Sequence, residues 1–187
     1  MKDKDYEKLF KAKNQLVVRK NNLGKAGEYL TAGKLLLNGF NVYTSAIDDG
    51  IDLVAKKSKR FYYIQVKTCQ DIEYDSGKFV ASINLSTLNR HPLKQTFVVL
   101  VLHYLGPTAS PDNMGDHNTY DQLFIVLPLD FLSSIFEANT GKATCRIFCS
   151  LIMDNPQEGN WIVKLKFKGK EIILDDFLID SFWQLEI

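Results

Sequence analysis

The stretch "DDGIDLVAKKSKRFYYIQVKT", residues 48–68, predicts a β-hairpin. Its arms, "GIDLVAKK" (50–57) and "RFYYIQVKT" (60–68), are rich in β-branched and aromatic residues, and the intervening "KSKR" (57–60) is typical of a turn. Because side chains alternate between the two faces of a strand, one face of this hairpin is apolar, and we expect it to pack against the core. That face carries Ile51, Leu53, Ala55, Tyr62, Ile64 and Val66.

The opposite face of the hairpin is polar. If Lys56 pairs with Phe61 across the turn, Asp52 lies opposite Gln65, and alternation puts Lys67 on the same face. An acid, an amide and an amine on a central hairpin need partners or a bound ion, because an unpaired buried charge is costly. The hairpin is therefore the first candidate for a functional site.

A helix precedes the hairpin. "LGKAGEYLTAGKLLLN" (23–38) has helical spacing and ends at Gly39, a good helix terminator. We expect its apolar arc to face the sheet and Glu28, at the margin of that arc, to reach the sheet rather than water. The arc is centred on Ala26, Leu30, Gly33 and Leu37 and extended by Tyr29, Ala32, Leu35 and Leu36, while Gly27, Thr31, Lys34 and Asn38 form the polar side.

Two carboxylates, an amide oxygen and an ammonium group are thus predicted to converge where the helix meets the hairpin. Oxygen ligands of this kind suit Mg²⁺ or Mn²⁺, which take one or two carboxylates together with waters and phosphate oxygens. Such a metal lowers the pKa of a bound water and neutralises charge in the transition state. With Lys67 beside it to orient the water or hold the phosphate, the pattern predicts phosphodiester hydrolysis.

The segments "GKAGEYLTAGKLLLNGFNVY", "DDGIDLVA" and "YYIQVKT" resemble the PD-(D/E)XK nuclease superfamily, most closely its archaeal Holliday-junction-resolvase-like and restriction-endonuclease-like branches. That family has a Glu on its first helix, an Asp at the start of a strand, and a Glu or Gln, one residue and a Lys on the next strand. Glu28, Asp52, Gln65 and Lys67 match this order, within residues 24–69. The resemblance implies that these four residues are catalytic.

The resemblance also implies the cofactor and the partners. Mg²⁺ or Mn²⁺ would be held by Glu28, Asp52, Gln65 and the backbone carbonyl of Val66, with Asp49 as a further carboxylate. The implied activity is Mg²⁺-dependent endonucleolytic cleavage of DNA. Many relatives pair up to cut both strands, so a homodimer is the expectation by resemblance.

Two departures from the family pattern keep a second hypothesis open. Gln65 stands where the family usually has Glu, so the site has one negative charge fewer, and "GID" replaces the proline of the family name. The alternative is a catalytically inactive nuclease-fold module that binds nucleic acid or a protein partner.

The charge distribution favours a local nucleic-acid surface. Net charge is only +1, but residues 1–25 hold eight Lys and Arg against three Asp and Glu, and phosphate contacts need clustered charge. For residues 1–25, the alternative is a basic helix whose charges are simply solvated. For the lysines of "VKLKFKGK", the alternative is that they protect an edge strand against aggregation. The predicted nucleic-acid contacts are Arg19, Lys20, Lys25, Tyr63, Lys164 and Lys166.

The fold class predicted is α/β, with a restriction-endonuclease-like core: a mixed central β-sheet flanked by helices, and a first helix followed by a β-meander. The 187 residues are expected to form a single domain. Its parts are a basic N-terminal helix (1–20), a nuclease-like core (21–104), a mobile loop (105–121), and strands and a helix that complete or extend the sheet (122–187).

Location is predicted from what the chain contains. No apolar run approaches the roughly 20 residues that cross a membrane, so no membrane association is expected. Cys69, Cys145 and Cys149 have no disulfide-framework spacing and are expected to be reduced thiols of a cytoplasmic protein.

Overall fold

The computed structural model describes residues 21–46, 49–70, 78–105, 120–136, 145–155, 160–167, 170–174 and 177. The predicted N-terminal helix (1–20) lies outside these residues, as does the predicted mobile loop, except at its two ends. Those ends, Leu105 and residues 120–121, belong to strands.

The described chain forms a helix, a strand meander and then further strands with short helices between them. Helix α1 covers residues 21–37 of the described chain. The later elements are β1 (Asn41–Thr44), β2 (Leu53–Lys57), β3 (Arg60–Gln70), β4 (Lys78–Ile83), α2 (Leu85–Leu88), a 3₁₀ turn (Leu93–Gln95), β5 (Thr96–Leu105), β6 (Tyr120–Pro128), α3 (Leu129–Phe136), β7 (Cys145–Asn155), β8 (Asn160–Phe167) and β9 (Lys170–Ile173).

Two sheets are built from these strands. The five-stranded sheet has the order β1-β2-β3-β5-β6, and it is mixed because β3 and β5 run parallel while its other pairs are antiparallel. The predicted α/β class, with a helix, a meander and a mixed central sheet, is confirmed. The four-stranded sheet, β4-β7-β8-β9, is antiparallel. Its strand β7 was not predicted. Among the late strands that the structure describes, within residues 120–173, only β6 extends the central sheet.

The hairpin of β2 and β3 has the predicted register. Lys56 pairs with Phe61, so Leu53, Ala55, Tyr62, Ile64 and Val66 share a face as predicted, whereas Ile51, expected on that face, lies before β2 and is buried in the core on the other side of the sheet. The turn is tighter than the predicted four residues, because Lys57 also pairs with Arg60. Ser58, the first of the two residues left in the turn, has a φ of 56°, which suits the primed turns that match strand twist.

The core has two parts on opposite faces of the five-stranded sheet. One lies under α1, where Leu35 and Phe40 meet Leu53, Ile64 and Val66. The other lies between the two sheets and includes side chains from β4, β5, β6, β7 and β8. The candidate hairpin is therefore covered on both sides, which fixes the positions of its polar residues.

Helix α1 presents a different face to the sheet from the one predicted. Leu30 and Leu37, expected at the centre of the inner arc, are exposed, and Leu37 is 87% exposed. Gly27, Thr31 and Leu35 are buried instead, on a line of residues spaced by four. The reason is steric, because a glycine without a Cβ lets the helix backbone approach β3.

Gly27 sits directly against Thr68 of β3. A Cβ at Gly27 would collide with the Thr68 hydroxyl and lie 3.2 Å from the Thr68 Cβ, whereas a Cβ at Gly33 would meet nothing within 4 Å. We expect Gly27→Ala to lower the free energy of unfolding by about 1–3 kcal/mol through overpacking. Each kcal/mol lost should lower the melting temperature by about 2–4 °C. Calorimetry measures the change.

Gly33→Ala on the same helix is the matched control. It is expected to raise stability by up to about 1 kcal/mol, since alanine is the better helix former. Thr68→Ala combined with Gly27→Ala should recover part of the loss. If both alanine variants of the helix are equally stable, the close approach of helix and strand is wrong.

Strand β8 lies between β7 and β9, so the interpretation of its lysines as edge-strand guards is wrong. The predicted alternation is present, with Val163 and Leu165 buried and Lys166 exposed. No helix among the described residues is both long and apolar enough to span a membrane.

Candidate active site

A cleft of about 430 Å³ opens where α1 meets the end of β1 and the start of β2. Glu28 and Asp52 both line it, from the helix and from the residue before β2. The other lining residues are Lys25, Tyr29, Thr44, Ser45, Ala46 and Ile51. Two of the predicted catalytic carboxylates, distant in sequence, thus face one space.

Asp52 is held in place by its backbone and its side chain. Its N–H donates to the Ile64 carbonyl at 2.9 Å, and its carbonyl accepts from the Ser45 N–H at 3.0 Å. Its Oδ2 accepts from the Val66 N–H at 2.7 Å. The Asp52 side chain therefore extends the hydrogen-bond ladder between β2 and β3 by one bond beyond the start of β2.

Glu28 is placed by the close contact of its neighbour Gly27 with β3. Its side chain is only 16% exposed and accepts a hydrogen bond from Lys25 Nζ at 2.7 Å. The Glu28 carboxylate raises the pKa of Lys25, chiefly through this bond. The predicted inward position of Glu28 is thus present, although the helix face around it differs from the prediction.

Burial raises the pKa of Asp52 above its ordinary value of 3.8, and the negative charge of Glu28 adds to this shift. The hydrogen bond from Val66 and the positive charges of Lys67 and Lys25 oppose the shift without cancelling it. Ionised Asp52 is therefore destabilised where it stands.

This shift predicts a pH dependence of stability in metal-free protein. An acid whose pKa is raised by folding binds its proton more tightly in the folded state, so its contribution to stability is lost as pH rises through the window above 3.8. We expect Asp52→Asn to gain melting temperature relative to wild type as the pH rises. Thermal melts with chelator, at several pH values, test this; a constant difference would contradict it.

Lys67 and Gln65 lie two residues apart on β3 and share a face of it. Lys67 is half-buried, and its charge acts on Asp52 as described above. Gln65 is 4% exposed, and its Nε2 donates to the Gly50 carbonyl at 2.9 Å. Its Oε1 is buried and has no hydrogen-bond partner among the described residues.

Val66 points its backbone toward Asp52. The N–H and C=O of one strand residue point to the same side of the strand, and the Val66 N–H bonds Asp52. Its carbonyl therefore faces the same side, as the expected role of a metal ligand requires.

Asp49 is turned away from the cleft. Its Oδ1 accepts from the Ile51 N–H at 3.1 Å, and its Oδ2 lies 3.5 Å from His91 Nε2. The ring of His91 lies 5.2 Å from the ring of Tyr63. Asp49 is thus engaged by its own turn and by a histidine, and its role as a metal ligand stays a prediction.

The predicted DNA contacts are spread over the molecule. Lys25 lies at the cleft, whereas Arg19 and Lys20 lie outside the described residues. Tyr63 is half-buried and packs against the core between the sheets. In the second sheet, the amines of Lys164 and Lys166 lie 3.6 Å and 3.7 Å from the Glu171 carboxylate, which offsets part of their charge.

The residue types of the predicted donor set suit a hard divalent cation, but of that set only Glu28 and Asp52 line the cleft, and Gln65 and Val66 do not. Two carboxylates, a backbone carbonyl and an amide oxygen are the oxygens that Mg²⁺ and Mn²⁺ take. The unpartnered, buried Gln65 Oε1 is an acceptor without a donor, as a cation ligand would be before the ion binds. The described residues include no group of three or more His, Cys, Asp or Glu side chains suited to a metal.

The sequence did not single out three residues that belong to this region. Tyr29 was taken for core but is 70% exposed at the cleft, and Thr44 lines it from the end of β1. His91 stands before a proline in a segment without periodicity, so no pattern marked it. The sequence feature that comes nearest to predicting the solvent exposure of Tyr29 is the presence of polar residues beside Glu28 along the helix.

Solved structures similar to this chain include the following one. It is a bacterial homing endonuclease, I-Ssp6803I, with 14% sequence identity, 89% of this chain and 93% of that chain covered, and a TM-score of 0.47. No protein-family model matches the chain. No curated protein matches it either.

Proposed function

We propose that this protein is a metal-dependent DNA endonuclease that hydrolyses phosphodiester bonds at the cleft of Glu28 and Asp52. One observation carries the proposal: two carboxylates from separate elements face one cleft, where the negative charge of Glu28 adds to the raised pKa of Asp52. Such an arrangement is unfavourable without a cation. Lys25 bonds Glu28 and only partly offsets this charge.

Each residue of the site has a distinct part in the proposal. Asp52 offers the oxygen that is not committed to Val66, and Glu28 and the Val66 carbonyl supply further ligands. Lys67 holds the scissile phosphate or orients the attacking water with its ammonium group. A bound Mg²⁺ or Mn²⁺ supplies an activated water and neutralises charge on the phosphate oxygens.

The rim of the cleft suits DNA. Lys25 provides a positive charge and Tyr29 an exposed aromatic ring, on which a base can stack. The hydroxyls of Thr44 and Ser45 on the opposite side suit phosphate contacts. Tyr29 is better placed for this than Tyr63, whose ring packs on His91.

Cleavage assays test the proposal directly. Purified protein is incubated with supercoiled plasmid, linear duplex, branched DNA and single strands, each with Mg²⁺, with Mn²⁺ and with chelator. We expect cleavage of at least one substrate with a metal and none with chelator. Inertness on every substrate with both metals would overturn the proposal.

The alternative, a catalytically inactive DNA-binding or protein-binding module, rests on Gln65. Its amide nitrogen bonds Gly50, and its neutral oxygen attracts a cation less than a carboxylate does. Under this alternative, the assays above give DNA binding that metal does not change, or no binding, and no cleavage.

A further inference from the structure

The turn that leads into Asp52 is fastened to the rest of the molecule at several points. We call residues 49–51 the entry turn. Gly50 has a φ of +88°, a conformation that strongly favours glycine. A Cβ there would also lie 2.8 Å from Thr87 Cγ2, so α2 closes over the turn. Ile51 is buried in the core between the two sheets.

Gln65 fastens this turn from β3. Its Nε2 donates to the Gly50 carbonyl at 2.9 Å in a buried setting. A glutamate has no ionised-state donor for that bond, and its carboxylate would face the carbonyl oxygen across the same short distance. An amide can donate to Gly50 with its nitrogen and still present Oε1 elsewhere.

His91 provides a second hold from the far side of the turn. Its Nε2 lies 3.5 Å from Asp49 Oδ2, while Asp49 Oδ1 accepts from the Ile51 N–H. The backbone of His91 is held, because its main-chain N–H donates to the Leu88 carbonyl at 2.9 Å. The imidazole ring packs against the ring of Tyr63.

We propose that Gln65 and His91 are positioning residues that lock the entry turn and so place the Asp52 carboxylate, and that Gly50 is the reason an amide stands at position 65. This assigns a task to the departure from the nuclease pattern. A side chain reaching for a cation must be held in a productive geometry before the ion arrives. The kinetic part of this inference rests on the proposed nuclease function; the structural part does not.

Amide hydrogen exchange by NMR on metal-free protein tests the lock. Three variants remove it: Gln65→Glu loses the donor, Gln65→Met loses both polar atoms at similar length, and His91→Phe keeps the ring on Tyr63. We expect the Ile51 and Asp52 amides to exchange about tenfold faster in the two Gln65 variants, as the loss of one buried hydrogen bond implies. The increase should be smaller in His91→Phe, which removes a 3.5 Å polar contact with Asp49 and no hydrogen bond. Unchanged exchange in both Gln65 variants would overturn the lock.

Asn38→Leu is the matched control. It removes another part-buried bond from a side-chain amide to a backbone carbonyl, that of Asn38 Nδ2 to Lys34 at 2.9 Å, outside the entry turn and its contacts. Its Ile51 and Asp52 amides should exchange at the wild-type rate. If they accelerate as much as in the Gln65 variants, the effect is general destabilisation and the inference is wrong.

Steady-state kinetics separate positioning from a ligand role. A positioning defect lowers kcat about tenfold and leaves the KM for DNA unchanged. If Gln65 acted only as a ligand, Gln65→Glu would tighten Mn²⁺ binding and leave exchange unchanged. If the Gln65 variants exchange faster but the wild-type protein cleaves no DNA, the positioning role stands and the proposed nuclease function is wrong. If the wild-type protein cleaves DNA but exchange in the Gln65 variants is unchanged, the nuclease function stands and the positioning role is wrong.

Discussion

Replacing Asp52 with asparagine is expected to lower metal-dependent DNA cleavage by about a hundredfold to a thousandfold, the size of effect seen when one electrostatic contact to the transition state is lost. Asparagine keeps the shape of aspartate, and its Oδ1 can still accept the bond that Asp52 receives from the Val66 N–H. The variant loses the negative charge that a divalent cation needs. Rates of plasmid nicking under saturating Mg²⁺ measure the effect.

Stability measured on the same variant shows whether the fold is intact. Because burial and Glu28 disfavour ionised Asp52, Asp52→Asn should melt above wild type at neutral pH without metal. Added Mn²⁺ should raise the melting temperature of wild type but not of the variant. Asp130→Asn makes the same chemical change at an exposed residue of α3, away from the cleft, and should cleave normally. Full activity of Asp52→Asn would mean that a contaminant cleaves.

Removing the amine of Lys67 is expected to lower cleavage by a similar factor, about a hundredfold or more. Lys67→Met keeps the length of the side chain and much of its apolar stem, so packing on β3 is preserved. Lys94→Met is the control, since Lys94 is exposed in the 3₁₀ turn. Loss of activity in both variants would point to a diffuse charge effect rather than to a catalytic lysine.

A titration gives a second readout of Lys67 that needs no activity. The Lys67 charge lowers the pKa of Asp52 in the folded protein. Without it the Asp52 carboxyl should titrate at higher pH, and NMR of metal-free protein can follow this. An unchanged Asp52 titration in Lys67→Met would show that the amine does not lie near the carboxylate and would remove its proposed part in catalysis.

The hairpin was predictable because its information is local. The alternation of apolar and polar residues in 53–66 has only one register that buries one face, and the structure pairs Lys56 with Phe61 as expected. A slip by one residue would turn the core face to the outside. The polar residues of the site follow from the same alternation, which is why Asp52, Gln65 and Lys67 could be named.

The inner face of α1 was not predictable, because its leucines outnumber the small residues that in fact face the sheet. Hydrophobicity favoured Leu30 and Leu37, but the contact is decided by Gly27 against Thr68, and a glycine carries little hydrophobic signal. The same applies to the second sheet. Its β4 and β7 pair across a long stretch of chain, and nothing local marks that pairing.

By itself, then, the order of residues determined the hairpin, its register and the set of groups that chemistry would need from it. Tertiary structure alone decided which of those groups share the cleft: Glu28 and Asp52 line it, whereas Asp49 turns to His91 and Gln65 to Gly50. The physical reason is how far along the chain the interactions that decide each feature reach. Alternation along a strand is set by neighbouring residues, but a side chain's direction at a turn depends on which distant atoms leave it room and offer it a hydrogen bond.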